Sequence, residues 1–295
     1  MLLAWFLRLL SYLPLGLLYR FSDALAWLAR RVIRYRRAVI VNNLRRSFPE
    51  KSSAEIRQIA RAFYHNLTDV MVESLKGLTI REDELRRRVT FRNLDLIQQY
   101  YQQHQSLLLL TTHQGNWEWL LLAGCSYLPY PVDAVYKPLA NPRMDTLMYQ
   151  ARARFGGQPI AKDRILREVL RRRNQVRAIA MVADQTPARE TPRYWTDFLH
   201  QETGFYRGIE QLPQAVQYPV LFVAMKRIRR GYYEVSFAPI GQPPYKKGDL
   251  TILPNYVRQA EQLIRQQPAH WLWSHQRWKY TRPVSTAPVA SNPTG

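Results

Sequence analysis

The pattern of apolar and polar positions divides the chain into a helical first part and a second part in which strands alternate with helices. Residues 52–76 carry apolar side chains at helical spacing; either Ser52 or Ser53 suits the N-cap, and Glu55 lies where a capping box places its acid. Further along, fully apolar runs of strand length, such as 106–112 and 177–184, alternate with amphipathic runs. This alternation is typical of a mostly parallel sheet covered by helices. The pattern predicts an α/β fold.

In the second part we predict four helices and five strands, two of which form a hairpin around Arg229–Gly231. Residues 81–105 form a polar helical and connecting region before them. The strands are predicted at 106–112, 131–139, 177–184, 219–228 and 232–240, and the helices at 116–128, 142–155, 163–175 and 253–273.

The chain begins with an apolar segment followed by a strongly basic one. Residues 1–19 are apolar apart from Arg8, Ser11 and Pro14, and five arginines lie within residues 30–37. Basic residues beside a hydrophobic helix are typical of a segment held against an anionic cytoplasmic leaflet. Because Arg8 and Pro14 suit a membrane span poorly, we predict peripheral attachment rather than a single spanning helix. A buried amino-terminal helix with a solvated basic neighbour is the alternative.

The charge balance narrows the kinds of partner. Forty-three Lys and Arg side chains face 22 acidic ones, a net charge of +21, which predicts anionic partners: phospholipid headgroups, nucleic acid or an acidic protein. Eight Trp and eighteen Tyr fit either a membrane interface or a single-strand binder. The single cysteine, Cys125, excludes an internal disulfide, and no Cys/His cluster has zinc spacing. We therefore expect no metal.

One predicted strand–helix junction carries reactive side chains. His113 follows the strand at 106–112, and Glu118 lies near the start of the next helix. Gly115 and Asn116 between them suit a turn and a helix start. Residues five apart on a continuous helix diverge, so His113 and Glu118 can meet only if His113 lies in the turn. Glu118 would then accept a hydrogen bond from one ring nitrogen and leave the other as a general base.

This pair lacks a nucleophile, which a hydroxyl of the substrate would have to supply. The helix N-terminus would favour the carboxylate and help to stabilise an anionic intermediate. The alternative is a core histidine satisfied by a nearby acid.

Five ordered motifs resemble a known family. The stretch THQGNWEW resembles the H-x4-D/E motif of the lysophospholipid acyltransferase superfamily, in the form found in the late acyltransferases of lipid A biosynthesis and in relatives that acylate phosphatidylinositol mannosides. The other four segments are YKPLANPRMD at 136–145, RARFGG at 152–157, VADQTP at 182–187 and WLWSHQRWK at 271–279, in which Gln276 replaces an arginine. The resemblance covers roughly residues 1–280.

The resemblance implies a glycerolphosphate acyltransferase-like α/β fold and acyl transfer at the cytoplasmic face of a bacterial inner membrane. The donor would be an acyl thioester on acyl-carrier protein or coenzyme A, used as co-substrate without a cofactor. The acceptor would be a hydroxyl of a lipid A-type precursor. His113 would deprotonate that hydroxyl, and Glu118 would orient His113 and stabilise its charged form.

Further residues of these motifs are candidates for substrate binding. Arg152 and Arg154 could hold a phosphate or order the site, and Lys137 is a similar candidate; structural roles are the alternative for each. The remaining candidates are Asn116, which begins the helix after His113, and Asp184 and Gln185, which follow an apolar strand at the same sheet edge as His113 and could position Arg154 or the acceptor.

The segment after Gln185 departs from the family pattern and leaves the acceptor open. A phenylalanine- and glycine-containing stretch is replaced by DFLHQETGFYRG at 197–208. An acceptor other than lipid A, such as a lysophospholipid or aminolipid, therefore stays an alternative.

Two other classes of function fit less of the sequence. A basic nucleic-acid-binding protein would need a recognition motif, and no RNP, zinc-finger or helix-turn-helix pattern is visible. A hydrolase would need a Ser or Cys nucleophile, and there is no G-x-S-x-G. We expect no nucleic-acid partner.

The domain organisation follows from these patterns. We predict a membrane-associating helical segment at 1–37, an α/β acyltransferase domain at 38–280, and a disordered tail at 281–295, which is rich in Pro, Ser, Thr and Ala.

Overall fold

The computed structural model describes residues 2–283, with side chains from Trp5 onwards. Within that range the helices are α1 (Leu2–Ser11), α2 (Leu15–Arg31), α3 (Arg37–Ser47), α4 (Ser53–Lys76), α5 (Glu82–Arg88), α6 (Leu94–Gln102), α7 (Trp117–Tyr127), α8 (Pro142–Arg152), α9 (Ile165–Arg171), α10 (Gly208–Val216) and α11 (Ile252–Gln266). The strands are β1 (Val89–Phe91), β2 (Leu107–Thr111), β3 (Val132–Tyr136), β4 (Gln158–Ala161), β5 (Ala178–Val182), β6 (Arg193–Phe198), β7 (Gln201–Tyr206), β8 (Val220–Arg229) and β9 (Tyr232–Gly241).

Seven strands form one sheet in the order β1-β9-β8-β2-β5-β3-β4. All neighbours are parallel except β8 and β9, which form the predicted antiparallel hairpin. The predicted α/β fold with a mostly parallel central sheet is confirmed. The strand β2 lies near the middle of the sheet, and all five of its residues are buried.

The leucine run of β2 is buried because helices cover both faces of the sheet. Leu108 and Leu110 belong to a core that includes α3, α4 and α11. Leu107 and Leu109 point to the other face and belong to a second core, which includes α7. A strand buried on both faces needs apolar side chains at successive positions. The face under α7 contains the candidate site.

The helix α4 begins as its sequence predicts. Ser52 and Glu55 form both hydrogen bonds of the capping box, and Lys76 lies in the last turn. The side chains of α4 that face inwards include polar ones, Asp69 and Glu73, which are almost fully buried and bonded to other elements. The helix therefore contributes a polar network as well as apolar packing.

The amino-terminal segment forms two helices separated by Pro14, and α2 packs against α4. Leu15, Leu18 and Ala26 of α2 are buried. Large apolar side chains on the two helices and the turn between them remain exposed, namely Trp5, Phe6, Leu9, Tyr12, Leu17, Phe21, Leu25, Trp27 and Leu28. Among the residues described, no helix combines the length and the apolar character that crossing a bilayer requires.

Several elements differ from the sequence prediction. The strands β1 and β4 are only three and four residues long and lie at the two edges of the sheet, so they carry little apolar periodicity. The hairpin of β6 and β7, which forms a separate two-stranded sheet, and α10 fall within a segment for which no elements were predicted. The predicted tail lies outside the described residues except for 281–283.

Candidate functional site

Two neighbouring parallel strands bring His113 and Asp184 together. In the register of β2 and β5, Thr111 lies opposite Val182, and each functional residue follows its strand end by two positions. The carboxyl ends of parallel strands meet at the same sheet edge. The His113–Asp184 pair is therefore positioned by the hydrogen-bonded pairing of β2 with β5.

The turn after His113 is shaped by Gly115 and Asn116. Gly115 has a φ of +63°, a conformation in which a side chain would be strained. Asn116 caps α7 by accepting a hydrogen bond from the backbone N–H of Trp119 at 2.9 Å. Its amide donates to the carboxylate of Glu73 at 2.8 Å. The predicted turn and helix start at these two residues are confirmed.

The imidazole of His113 is oriented by Asp184. His113 Nδ1 lies 2.6 Å from Oδ1 of Asp184, and the backbone N–H of His113 donates to Oδ2 at 2.9 Å. The indole N–H of Trp271 also donates to Oδ2, at 2.6 Å. Burial by itself opposes ionisation of this carboxyl, but the electrostatic interaction with His113 and the hydrogen bonds from His113 and Trp271 outweigh it and hold the pKa of Asp184 below its ordinary value. Asp184 is therefore an anion that fixes Nδ1–H towards itself.

The other ring nitrogen of His113 faces a cavity. With Nδ1 as donor, Nε2 carries a lone pair, and the side-chain amide of Gln185 lies 3.1 Å from it. The ring of Trp117 packs edge-on against the imidazole, with centroids 5.0 Å apart. The His113 side chain is 15% exposed, so its Nε2 is accessible to a substrate without being open to bulk water. This geometry suits a general base.

Glu118 forms no hydrogen bond with His113 in the described structure, which differs from the sequence prediction. It forms two hydrogen bonds with Arg152, from Nε at 2.9 Å and Nη2 at 2.6 Å. The reason is its position in the first turn of α7, which turns the side chain towards the end of α8. Burial alone would lower the pKa of Arg152, but the hydrogen bonds and charge of Glu118 raise it above its ordinary value. The carboxylate that orients the histidine is that of Asp184.

The cavity has a volume of about 730 Å³ and joins a polar mouth to an apolar interior. His113, Glu118, Arg152, Lys137, Lys162, Gln185 and Tyr206 line the polar part. The apolar part lies between α7 and the sheet and is lined by Phe91, Leu109, Leu120, Leu121, Gly124, Leu128, Val132, Ala134, Ala180, Val223 and Phe237. A channel of this kind can bury an aliphatic chain while its head remains beside the polar residues.

The remaining predicted binding residues divide into two groups. Lys137 lines the cavity mouth, as do Arg152 and Gln185. Arg154 instead donates to the backbone carbonyls of Gly77 and Ile80, at 2.5 and 2.6 Å, and ties down the chain after α4.

The Asn116 side chain is fully buried, and both of its ends are engaged by Glu73 and Trp119. The hydrogen bonds of Arg154 and Asn116 go to other parts of the protein, so the structure gives no support to the prediction that either contacts substrate.

Two residues of the site were missed by sequence analysis. Trp271 lies in the terminal WLWSH motif, and its indole reaches Asp184 across 87 positions of the sequence. Glu73 is fully buried and accepts hydrogen bonds from Tyr19, Tyr233 and Asn116. Burial raises the pKa of Glu73 above its ordinary value even though these hydrogen bonds act in the opposite direction. A glutamate within the apolar stripe of α4 was the available signal.

Comparisons with known proteins agree with the motif resemblance. Residues 1–280 match the family described as bacterial lipid A biosynthesis acyltransferase. Similar proteins include a lipid A biosynthesis palmitoleoyltransferase of Escherichia coli (strain K12) and a lipid A biosynthesis acyltransferase of Shigella flexneri. Each is 23% identical over 289 residues, which cover 96% of this chain and 92% of the relative.

Proposed function

The chain belongs to the bacterial lipid A biosynthesis acyltransferase family and is an acyltransferase, and from this premise we propose that it moves a fatty acyl chain from a thioester to a hydroxyl of a lipid A-type precursor. The observation that carries the proposal is the geometry of His113. Its Nδ1 is held by Asp184, and its Nε2 opens onto the polar end of a channel with an apolar interior.

The proposed reaction uses His113 first as a base and then as an acid. The acceptor hydroxyl gives its proton to Nε2 as its oxygen attacks the carbonyl carbon of the thioester. The carbon–sulfur bond of the resulting tetrahedral intermediate then breaks, and the thiolate takes the proton from Nε2. The ionised Asp184 stabilises the imidazolium between the two steps. The acceptor replaces Gln185 as the hydrogen-bond partner of Nε2.

We assign Glu118 to the site through Arg152. The ion pair between them uses Nε and Nη2 of the guanidinium, and within the described residues no hydrogen-bond partner is found for Nη1. A cation fixed at the cavity wall can stabilise the oxyanion of the tetrahedral intermediate or a phosphate of the acceptor. Glu118 holds the guanidinium in place, which is a different task from orienting the base.

The polar mouth of the cavity supports an anionic glycolipid as acceptor. Lys137, Lys162 and Arg152 line it together, and three cations at one opening favour a phosphorylated headgroup. The two relatives named above carry lipid A biosynthesis in their names. Transfer to a lipid A precursor therefore has more support than transfer to a neutral lipid.

The assay that tests the proposal offers the purified full-length protein one acceptor and two donors. A lipid A precursor that lacks its secondary acyl chains is incubated with lauroyl-acyl-carrier protein or with lauroyl-coenzyme A. The mass of the product is then measured by mass spectrometry. We expect a mass gain of one acyl group with at least one donor. A lysophospholipid offered in parallel distinguishes the acceptors. Hydrolysis of both thioesters without any acylated product would contradict the proposal.

We also propose that α1 and α2 hold the enzyme on an anionic membrane surface at the cytoplasmic face of the inner membrane. Their exposed apolar side chains include Trp5, Phe6 and Phe21, and the arginine-rich segment 30–37 follows directly. Aromatic side chains prefer the headgroup boundary, and each arginine near an anionic surface contributes about 1 kcal/mol. The exposed apolar side chains and the arginines thus both favour binding to an anionic membrane.

Replacing Trp5 and Phe21 by glutamate is expected to lower the partition coefficient for vesicles of phosphatidylglycerol and phosphatidylethanolamine at least about tenfold, because both apolar side chains are lost from the interface. Flotation of the full-length protein with the vesicles measures this partition coefficient. Leu166→Glu, an exposed leucine of α9, is the control and should bind like the unaltered protein. Unchanged binding of the double variant would refute the attachment.

A further inference from the structure

Gly124 occupies a helix interior, where glycine is unfavourable. It is the eighth of the eleven residues of α7, between Ala123 and Cys125, and it is buried. Glycine in such a position destabilises a helix relative to alanine because it loses more backbone freedom on folding. Its φ does not lie in the left-handed region, so backbone conformation gives no reason for it. An isolated glycine of this kind calls for a packing or functional reason.

Close packing does not supply that reason. A Cβ added at Gly124 would meet only Cδ1 of Leu128, at 3.9 Å, which is ordinary contact. At Gly157, by contrast, the added Cβ would lie 2.3 Å from the carbonyl oxygen of Arg152, so a larger residue cannot fit there. A side chain at Gly124 would thus meet no close neighbour at its Cβ, and the residue lines the apolar part of the cavity.

The position of Gly124 along the cavity can be read from the helix. Gly124 lies seven residues beyond Trp117, and this separation corresponds to about 10 Å along the helix axis. The ring of Trp117 packs against His113. An extended hydrocarbon chain advances roughly 1.3 Å per carbon for bonds of about 1.5 Å. A chain whose thioester lies at His113 would therefore pass Gly124 at about its eighth carbon.

The apolar lining continues past this point. Leu128 lies directly after the end of α7, four residues beyond Gly124, and Phe91 and Phe237, which stack with centroids 5.7 Å apart, line the cavity on the sheet side. A chain longer than about eight carbons needs this space. A side chain on Gly124 would project into the passage leading to it.

We propose that Gly124 determines how long an acyl chain the cavity accepts, by leaving the passage beyond the eighth carbon open. This inference rests on the proposed function, because it takes the acyl chain to lie in this cavity. To the proposed function it adds Gly124 as the residue that sets which acyl-chain lengths the donor can carry.

The test measures binding and transfer for saturated chains of graded length. Full-length protein carrying Gly124→Leu is titrated with octanoate, decanoate, laurate, myristate and palmitate in displacement of a fluorescent fatty acid. The corresponding coenzyme A and carrier-protein thioesters are used for transfer. Each methylene that can no longer be buried costs about fourfold in affinity. We expect octanoate binding to be unchanged and palmitate binding to fall at least about tenfold.

Two further variants bracket the effect. Gly124→Ala adds one methyl group and should shift the longest accepted chain less than Gly124→Leu, while raising the melting temperature because alanine favours the helix. Ala54→Leu adds the same kind of side chain on the exposed first turn of α4 and should leave the length profile unaltered.

The outcomes separate this inference from the proposed function. A folded Gly124→Leu protein with the length profile of the unaltered enzyme, or with equal loss for octanoate and palmitate, overturns the inference. A length shift in fatty-acid binding without transfer by the unaltered enzyme supports the cavity assignment and rejects the proposed reaction. Transfer by an enzyme whose Gly124 variants keep the same donor preference supports the reaction and rejects the role of Gly124.

Discussion

His113→Ala is expected to lower kcat by about two to four orders of magnitude while the protein stays folded. The variant removes the imidazole that takes the acceptor proton in the proposed reaction, and general-base catalysis contributes about 10²–10⁴ to such reactions. The loss should fall on kcat rather than KM, because the apolar cavity and the cationic mouth are untouched. Initial rates of acyl transfer, measured over a range of thioester concentrations, give both parameters.

His113→Gln provides the matched control for this variant. Its amide retains an N–H that can reach Asp184 but offers no basic nitrogen, so we expect a loss of the same order. Unfolding curves of both variants check that the fold persists. If either variant kept more than about a tenth of the activity, the assignment of His113 as the base would be refuted.

Asp184→Asn is expected to lower kcat by about a thousandfold. The carboxylate accepts hydrogen bonds from Nδ1 and the backbone N–H of His113 and from Trp271. An asparagine whose side-chain oxygen still accepts from the backbone N–H of His113 and from the indole of Trp271 must direct its own N–H towards Nδ1. The proton would then move to Nε2, which becomes a donor where the reaction requires a base. Steady-state kinetics with the same thioester measures the loss.

Two variants show whether this effect is specific. Trp271→Phe removes one hydrogen bond to Asp184 without changing the tautomer of His113, so we expect at most about a tenfold loss of kcat and a free energy of unfolding lower by about 1–2 kcal/mol. Glu118→Gln tests the arrangement predicted from sequence. If it, rather than Asp184→Asn, reproduced the kinetics of His113→Gln, Glu118 and not Asp184 would be the partner of the histidine.

The central strands could be predicted from sequence because their physical signal is local. The leucine run of β2 and the apolar run of β5 are buried on both faces and need no knowledge of their neighbours to be identified. The hairpin of β6 and β7 could not be identified in this way. Its residues mix charged and aromatic side chains, and they are set by contacts with distant segments such as the terminal motif, for example the bond from Trp278 to Thr203 at 2.7 Å.

The candidate site was predicted in part for the same reason. His113 was identified because it follows a strand, and Asp184 was placed at the same sheet edge. The pairing itself depends on β2 and β5 being neighbours, which is a property of strand order that spacing along the chain does not reveal. Glu118 was favoured because it is close in sequence. Closeness along the chain favoured Glu118, whereas the order and register of the strands place Asp184 beside the imidazole.

The hydrogen bonds of the buried Glu73 connect the site to elements that lie away from the cavity. One carboxylate, out of contact with solvent, bonds a tyrosine of α2, a tyrosine of β9 and the asparagine that starts α7. The residue next to that asparagine is Gly115, in the turn that follows His113. Glu73 thus links α2, which we propose lies on the membrane surface, to the turn that follows His113, so the distance between the membrane surface and His113 should stay constant.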